Sequence, residues 1–412
     1  MRKARRGLGL GAALTLVAGG LLAMMTPTVA SAASGSCTVA GAQVNSTARS
    51  HGIGGIIAPA GTSSTCQDPP PPPEPAFNGT PPLLFNGRPP VCSFSPCDFG
   101  DVMSTRSTGP LVIVPVFWTP PGYSFPASYE NIIDSYIRDV AAAASNRLTN
   151  VFSVLTEYYG NNGTINYRFQ AGSPIYANNS PTGTGCTLAA KDTTGIYADG
   201  SGYNACLDDA QLQAEVDTVT ATYGLPHNLN HIYELFLPKG IESCILPGET
   251  TSGANGQACT VNNEGPAPTG TTAYCAYHST DLNRAVYANL DYPIYDSATG
   301  FTCGSNLTFG VVESPNGNLD ADTEVSPLSH ETSEAVTDPD TETGWFDSTG
   351  NEIGDDCAYI YGATRGTAGA LYNQTINGQH FMTQEEFSNR VFARSNGTIG
   401  CVQSWLDEFP GA

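Results

Sequence analysis

The residues best suited to chemistry lie in Ser329-His330-Glu331-Thr332-Ser333-Glu334, followed by Ala335-Val336-Thr337-Asp338-Pro339. On a helix, residues four apart fall about 40° apart around the axis, so His330 and Glu334 share a face and can converge on one cation. The arrangement is that of the zinc-gripping H-E-x-x-H helix, with Glu334 in place of the second histidine and Glu331 in the position of the general base. Pro339 cannot extend a helix and disfavours helical angles at Asp338, which gives the segment an end. Asp320, Asp322 and Thr323 offer oxygens to cap its start, and Glu324 adds a negative charge near it. The ordinary alternative is a surface helix whose His–Glu pair stabilises it by only about 0.2–0.5 kcal/mol.

An H-E-x-x-E helix needs a third ligand from elsewhere. Asn351-Glu352-Ile353-Gly354-Asp355-Asp356-Cys357 presents three acids some twenty residues after His330, and Glu352 and Asp355 rank above Asp338 and Asp340. Asp340 has the ten-residue spacing of another zinc-helix pattern, but Thr337 stands where that pattern requires a turn glycine. His278, in Cys275-Ala-Tyr-His-Ser279, directly follows an expected strand and joins the site only if that strand borders the His330 helix. His227 and His231 are also four apart, but Pro226 and the strand after them favour a capping or turn role over a shared ion.

The elements that must hold these residues can be read from the apolar pattern. Leu111–Trp118 is almost continuously apolar and predicts a buried strand, with Pro115 at a bulge or edge. Helices are expected over 129–144 and 150–159, and a half-buried strand over 165–169. A long loop over 171–206 leads to a helix over 207–223, which Gly224 and Pro226 end. Strands are expected over 232–237, 272–277, 284–292 and 372–376, then at 379–381. A short helix near 385–389 and a last strand into Cys401 close the chain. The fold class is α/β: a mixed sheet covered by helices, with a zincin-like active-site helix, loop-rich and disulfide-bonded.

The chain as a whole sets the context. Arg2, Lys3, Arg5 and Arg6 precede an apolar run from Leu8 to Met25 and an A-x-A site at Ala30–Ala32, so residues 1–32 read as a secretory signal peptide. Residues 33–104 read as a low-complexity, proline-rich segment and linker, including the run Pro69–Pro73. A globular domain is expected over 105–412. No later stretch has the length of a membrane span. The 412 residues carry 38 Asp and Glu against 16 Lys and Arg. That excess repels nucleic acid and anionic lipid, and an extracellular peptide or carbohydrate is the partner class left. Twelve cysteines without a C-x-x-C spacing point to disulfides rather than a thiolate metal site. The near pairs are Cys37–Cys66, Cys92–Cys97, Cys186–Cys206 and Cys244–Cys259, with Cys357–Cys401 at longer range.

Taken together, the Val-Pro-Val-Phe-Trp strand, the Asn150–Tyr159 segment, Cys275-Ala-Tyr-His278-Ser, His330-Glu-x-x-Glu334 through Asp338-Pro339, Gly344-Trp345 and Glu352-Ile-Gly-Asp355-x-Cys357 resemble the Exordium, or phosphate-induced protein, family and its secreted bacterial relatives. The likeness spans roughly 105–405 and implies an exported, extracellular protein. It assigns no reaction.

The residues themselves suggest a secreted zinc-dependent hydrolase, peptidase-like. His330, Glu334 and Glu352 or Asp355 would hold Zn²⁺, Glu331 would act as base, and His278 would stabilise an oxyanion. The alternative is a non-catalytic extracellular factor that binds wall carbohydrate or a surface partner, with structural Ca²⁺ or zinc or no ion. Its nineteen tyrosines suit sugar stacking. No G-x-S-x-G elbow for a serine hydrolase is present.

Overall fold

The computed structural model describes residues 76–87, 100–144, 148–188, 190–245, 259–261, 274–295, 302–341 and 343–407. The expected signal peptide, the polyproline run and the Cys37–Cys66 and Cys92–Cys97 pairs lie outside the described residues. No helix among the described residues is long and apolar enough to cross a membrane.

Leu111–Trp118 forms a strand near the middle of a six-stranded sheet. Strand order is Ala276–Thr280, Val286–Leu290, His231–Phe236 and Leu111–Trp118. Phe169–Ala171 and Ile175–Ala177 then lie end to end along the far side of the last. The first pair is antiparallel and all other pairs are parallel.

Both faces of the sheet are covered, which is why the Leu111 strand is apolar throughout. Leu111, Ile113 and Phe117 pack with Ile232, Phe236, Val286 and Leu290 under the helices Ala127–Ala143 and Leu319–Thr337. Val114, Val116 and Trp118 pack with Tyr233, Leu235, Tyr277 and Tyr287 under Asp209–Tyr223. Pro115 lies inside the sheet rather than at an edge, because its neighbour on one side is interrupted. Phe169–Ala171 ends opposite Ile113 and Ile175–Ala177 begins opposite Val116, so the missing N–H falls where no carbonyl awaits it.

Several elements differ from the sequence expectation. Residues 151–157 wind as a 3₁₀ helix rather than an α-helix. The expected 171–206 loop contains the Ile175–Ala177 strand, and its end forms another, Ala205–Asp208. The strand read as 272–277 is Ala276–Thr280, so His278 lies inside a strand, not after one. The 165–169 strand is shifted to Phe169–Ala171. The closing helix is Asn389–Arg394, and Glu386–Phe387 is a short strand paired with Cys401–Val402.

The packed unit also begins before residue 105. Leu84–Asn86 pairs with Gly344–Phe346, and Leu83, Val102 and Met103 are buried. Cys186–Cys206, Cys244–Cys259 and Cys357–Cys401 are bonded as expected. A fourth bridge, Cys275–Cys303, had no sequence signal, since neither cysteine has a distinctive spacing to the other.

Candidate metal centre

The helix that carries His330 runs from Leu319 to Thr337. Its cap is Asn318, whose side chain accepts the Ala321 N–H at 3.1 Å. The cap therefore precedes Asp320, Asp322 and Thr323, which lie within the helix. The far end is fixed by the edge strand. His278 Nε2 donates to the Asp338 carbonyl at 3.0 Å, and the Thr280 hydroxyl donates to the Pro339 carbonyl. His278 and Thr280 share a strand face two residues apart, so the strand grips successive carbonyls just where proline releases the helix. Gly344 completes this end at φ 100°, because a Cβ there would sit 2.6 Å from the Thr337 carbonyl oxygen.

From Ala321 to Thr337 every helix residue is buried, despite the many polar side chains. Polar groups in such a place must find partners or bind something. Thr332 donates to Glu234 Oε1 at 2.8 Å. His330 is held on one side by Gln384, whose amide nitrogen lies 2.6 Å from His330 Nδ1 and donates to the Gly354 carbonyl at 2.9 Å. Gly354 lies close against the same ring, where a Cβ would come within 2.4 Å of Nδ1.

The opposite ring nitrogen faces carboxylates. His330 Nε2 is 3.0 Å from Glu334 Oε1, 3.8 Å from Asp355 Oδ1 and 3.9 Å from Glu331 Oε1. The Asp355 N–H donates to Glu334 Oε1 at 3.0 Å, which ties the downstream turn to the helix. The Cys357–Cys401 bridge anchors that turn. On the other side, His278 Nδ1 lies 3.3 Å from Glu331 Oε2 and 3.7 Å from Glu334 Oε2, and its Nε2 is 3.6 Å from Glu352 Oε2. His278, His330, Glu331, Glu334 and Glu352 are wholly buried.

All six residues singled out from sequence thus meet, but not as one ligand set. Asp355 joins His330, whereas Glu352 lies on the His278 side. His278 contacts Glu331 and so orients the expected base, rather than facing an open position where an oxyanion would form. Asp338 takes part through its carbonyl, and Asp340 is absent from the metal-grade clusters among the described residues. His227 does not pair with His231 but groups with Asp217 and Asp281, and both of its ring nitrogens are engaged, Nδ1 2.9 Å from the Asn283 carbonyl and Nε2 2.8 Å from the Thr220 hydroxyl. His231 opens its strand beside Asn228. The Cys186–Cys206–Cys244 grouping consists of disulfide sulfurs and offers no thiolate.

Among the described residues, carboxylates dominate the electrostatics of the centre. Burial raises Glu331 well above the ordinary carboxylate range, and the charges adding to that are carboxylates too: Glu334, Asp355, Glu352 and Glu234. Burial likewise raises Glu386, with Glu334 and Asp355 adding to it. Asp356 is pushed up to about 9, by burial first and then by Asp347. His330 is pushed down to about 4 by burial, against the pull of Asp355 and Glu352. A neutral imidazole among crowded carboxylates is the donor set a divalent ion selects. His330 Nε2 and Glu331 Oε1 are among the buried atoms without a hydrogen-bond partner, which leaves both able to meet an ion.

Gln384, Glu386 and Glu234 were missed in the sequence. Thr383-Gln384-Glu385-Glu386 reads as a solvated polar run, yet all four residues are buried. The only clue was that the run follows the apolar Phe381-Met382. Comparison with protein-family models, with curated proteins and with solved structures finds no match for this chain.

Proposed function

We propose that this chain is an exported metal-dependent hydrolase, peptidase-like in its chemistry, built on a zincin-like helix. The observation that carries the reading is the convergence of the buried His330 Nε2 on Glu334 and Asp355, with Glu331 Oε1, buried and without a hydrogen-bond partner, 3.9 Å from that nitrogen. His330, Glu334 and Asp355 would hold the ion. Mixed nitrogen and oxygen donors suit Zn²⁺ better than Ca²⁺, which takes oxygen ligands. When bound, such an ion polarises water and carbonyl groups. The chain's own residues do the rest. Gln384 and Gly354 fix the His330 ring, His278 orients Glu331 through Oε2, and Glu331 Oε1 is the atom placed to take up and release a proton. The likeness to the Exordium family and the leader-like first 32 residues support export.

One observation favours a second reading. The converging side chains are wholly buried, which suits a structural ion in a non-catalytic extracellular factor that binds carbohydrate or a surface partner. Zinc content, hydrolysis of a casein-derived peptide mixture and melting temperature, measured on the purified exported protein, separate the two. Under the hydrolase reading, Glu331→Gln cuts the rate by at least about 100-fold and a chelator abolishes turnover. A chelator that lowers the melting temperature of a wild-type protein with no turnover supports the structural ion and ends the hydrolase proposal.

A further inference from the structure

The geometry points to a second cation position beside the first, held by His278 Nδ1, Glu331 Oε2 and Glu334 Oε2, with Glu334 as a carboxylate bridge between the two ions. The inference rests on the metal-binding reading above and adds a dinuclear character to it.

The His278 ring supplies the first reason. Its Nε2 lies 3.0 Å from the Asp338 carbonyl, and a carbonyl can only accept, so that nitrogen carries the proton. In the neutral ring Nδ1 then presents a lone pair. That lone pair faces two carboxylate oxygens, Glu331 Oε2 at 3.3 Å and Glu334 Oε2 at 3.7 Å. These atoms hold together through either a shared proton or a cation between them, and the spacing chooses between the two.

Distance supplies the second reason. Charge-assisted hydrogen bonds close to about 2.7–2.9 Å. Donors about 2.0–2.1 Å from a shared tetrahedral ion instead stand about 3.3–3.5 Å apart. The separations around His278 Nδ1 fall near the second spacing.

The bridge is the third reason. Glu334 turns Oε1 toward His330 at 3.0 Å and Oε2 toward His278 at 3.7 Å. Glu331 does the same, with Oε1 at 3.9 Å from His330 and Oε2 at 3.3 Å from His278. Glu331 Oε1 and His330 Nε2, fully buried and without a hydrogen-bond partner, lie at the first position, so Glu331 and Glu334 each reach from that position to the His278 side. Two ions bridged this way stand about 3.5–4 Å apart, the separation of two-metal hydrolytic centres. Bound through Oε2, Glu331 keeps Oε1 turned toward the first ion.

The test is metal stoichiometry on the full chain as purified, loaded with Zn²⁺ and exchanged into metal-free buffer. Wild type is expected to retain two equivalents and His278→Gln one. One equivalent in wild type, unchanged in His278→Gln, overturns the second position and leaves the first standing. No retained zinc in wild type overturns both. Because His278→Gln can fail to fold, wild type loaded with Mn²⁺ provides a variant-free measurement. An exchange-coupled pair in its electron paramagnetic resonance spectrum supports the bridge, and the spectrum of isolated ions at full loading refutes it.

Discussion

At the scale of single residues, the position of the His330 ring depends on a glycine. Gly354 has φ −80° and ψ −39°, angles that alanine adopts freely, and a Gly→Ala change at such angles ordinarily stabilises by about 0.4–1 kcal/mol. Here the added Cβ would meet His330 Nδ1 at 2.4 Å and Cε1 at 2.7 Å, and the ring is wholly buried and tied through Nδ1 to Gln384. The contact reverses the sign. Gly354→Ala is expected to cost about 1–3 kcal/mol in urea unfolding and to weaken metal binding, whereas wild-type values for both would show that the ring is free to move. His330, Glu331 and Glu334 were legible because a four-residue spacing has one geometric meaning on a helix. Glu352 and Asp355 were legible as a pair, but not their division between the two histidines. That division depends on how the 352–357 turn docks, and no local pattern encodes docking. Gly354 was invisible as a site residue because its contribution is the absence of a side chain.

At the scale of elements, the weakest support under the centre is the strand that carries His278. Ala276–Thr280 is an edge strand with one sheet neighbour. It is held at the other side by the helix end and at its start by Cys275–Cys303, which closes a loop of 28 residues. A loop of that length constrains the unfolded chain by about 3.5 kcal/mol. Replacing both cysteines by alanine is therefore expected to lower stability by about 3 kcal/mol and to weaken metal binding, since His278 loses the anchor three residues before it. A variant with reduced stability but unchanged metal affinity would place the strand's anchorage in the Asp338 and Pro339 carbonyls alone. The Leu111 strand and the 129–144 and 207–223 helices were legible because their apolar periods match the faces they bury. The His330 helix was legible as a helix but not as a buried one. Its sequence is polar enough for a surface, and only its central position between sheet and downstream turn explains why those polar groups are inside.

At the scale of the molecule, the excess of acid takes on a second meaning. The composition suggested an external negative field, yet Asp209, Glu234, Asp291, Glu324, Glu331, Glu334, Glu352, Asp356 and Glu386 are all buried. Part of the charge imbalance is thus a property of the interior, and it makes stability depend on pH in a definite direction. Asp291, bonded to Ser243 and Asn289 rather than to the His330 cluster, shows the sign. Its Oδ2 accepts from Ser243 at 2.7 Å and Asn289 at 2.9 Å, bonds that favour the ionised form, but burial outweighs them and pushes the group up to about 7. Asp209 behaves alike: Tyr277, Tyr287 and Gln213 donate to it, and burial still takes it up to about 6. A carboxyl whose folded value lies above its unfolded value near 4 contributes stability that is complete below pH 4 and is lost as pH rises through the folded value. The protein is therefore expected to be more stable at pH 5 than at pH 8. Asp291→Asn tests the cause, because an amide can still accept from Ser243 and Asn289 while its nitrogen takes the place of Oδ1, which has no hydrogen-bond partner. In urea unfolding with chelator present, so that metal release does not contribute, this variant should lose less stability than wild type between pH 5 and pH 8, by an amount on the order of 2–3 kcal/mol. An identical pH dependence in the two proteins would mean that Asp291 is ionised in the fold throughout, and that the interior is better solvated than its burial implies.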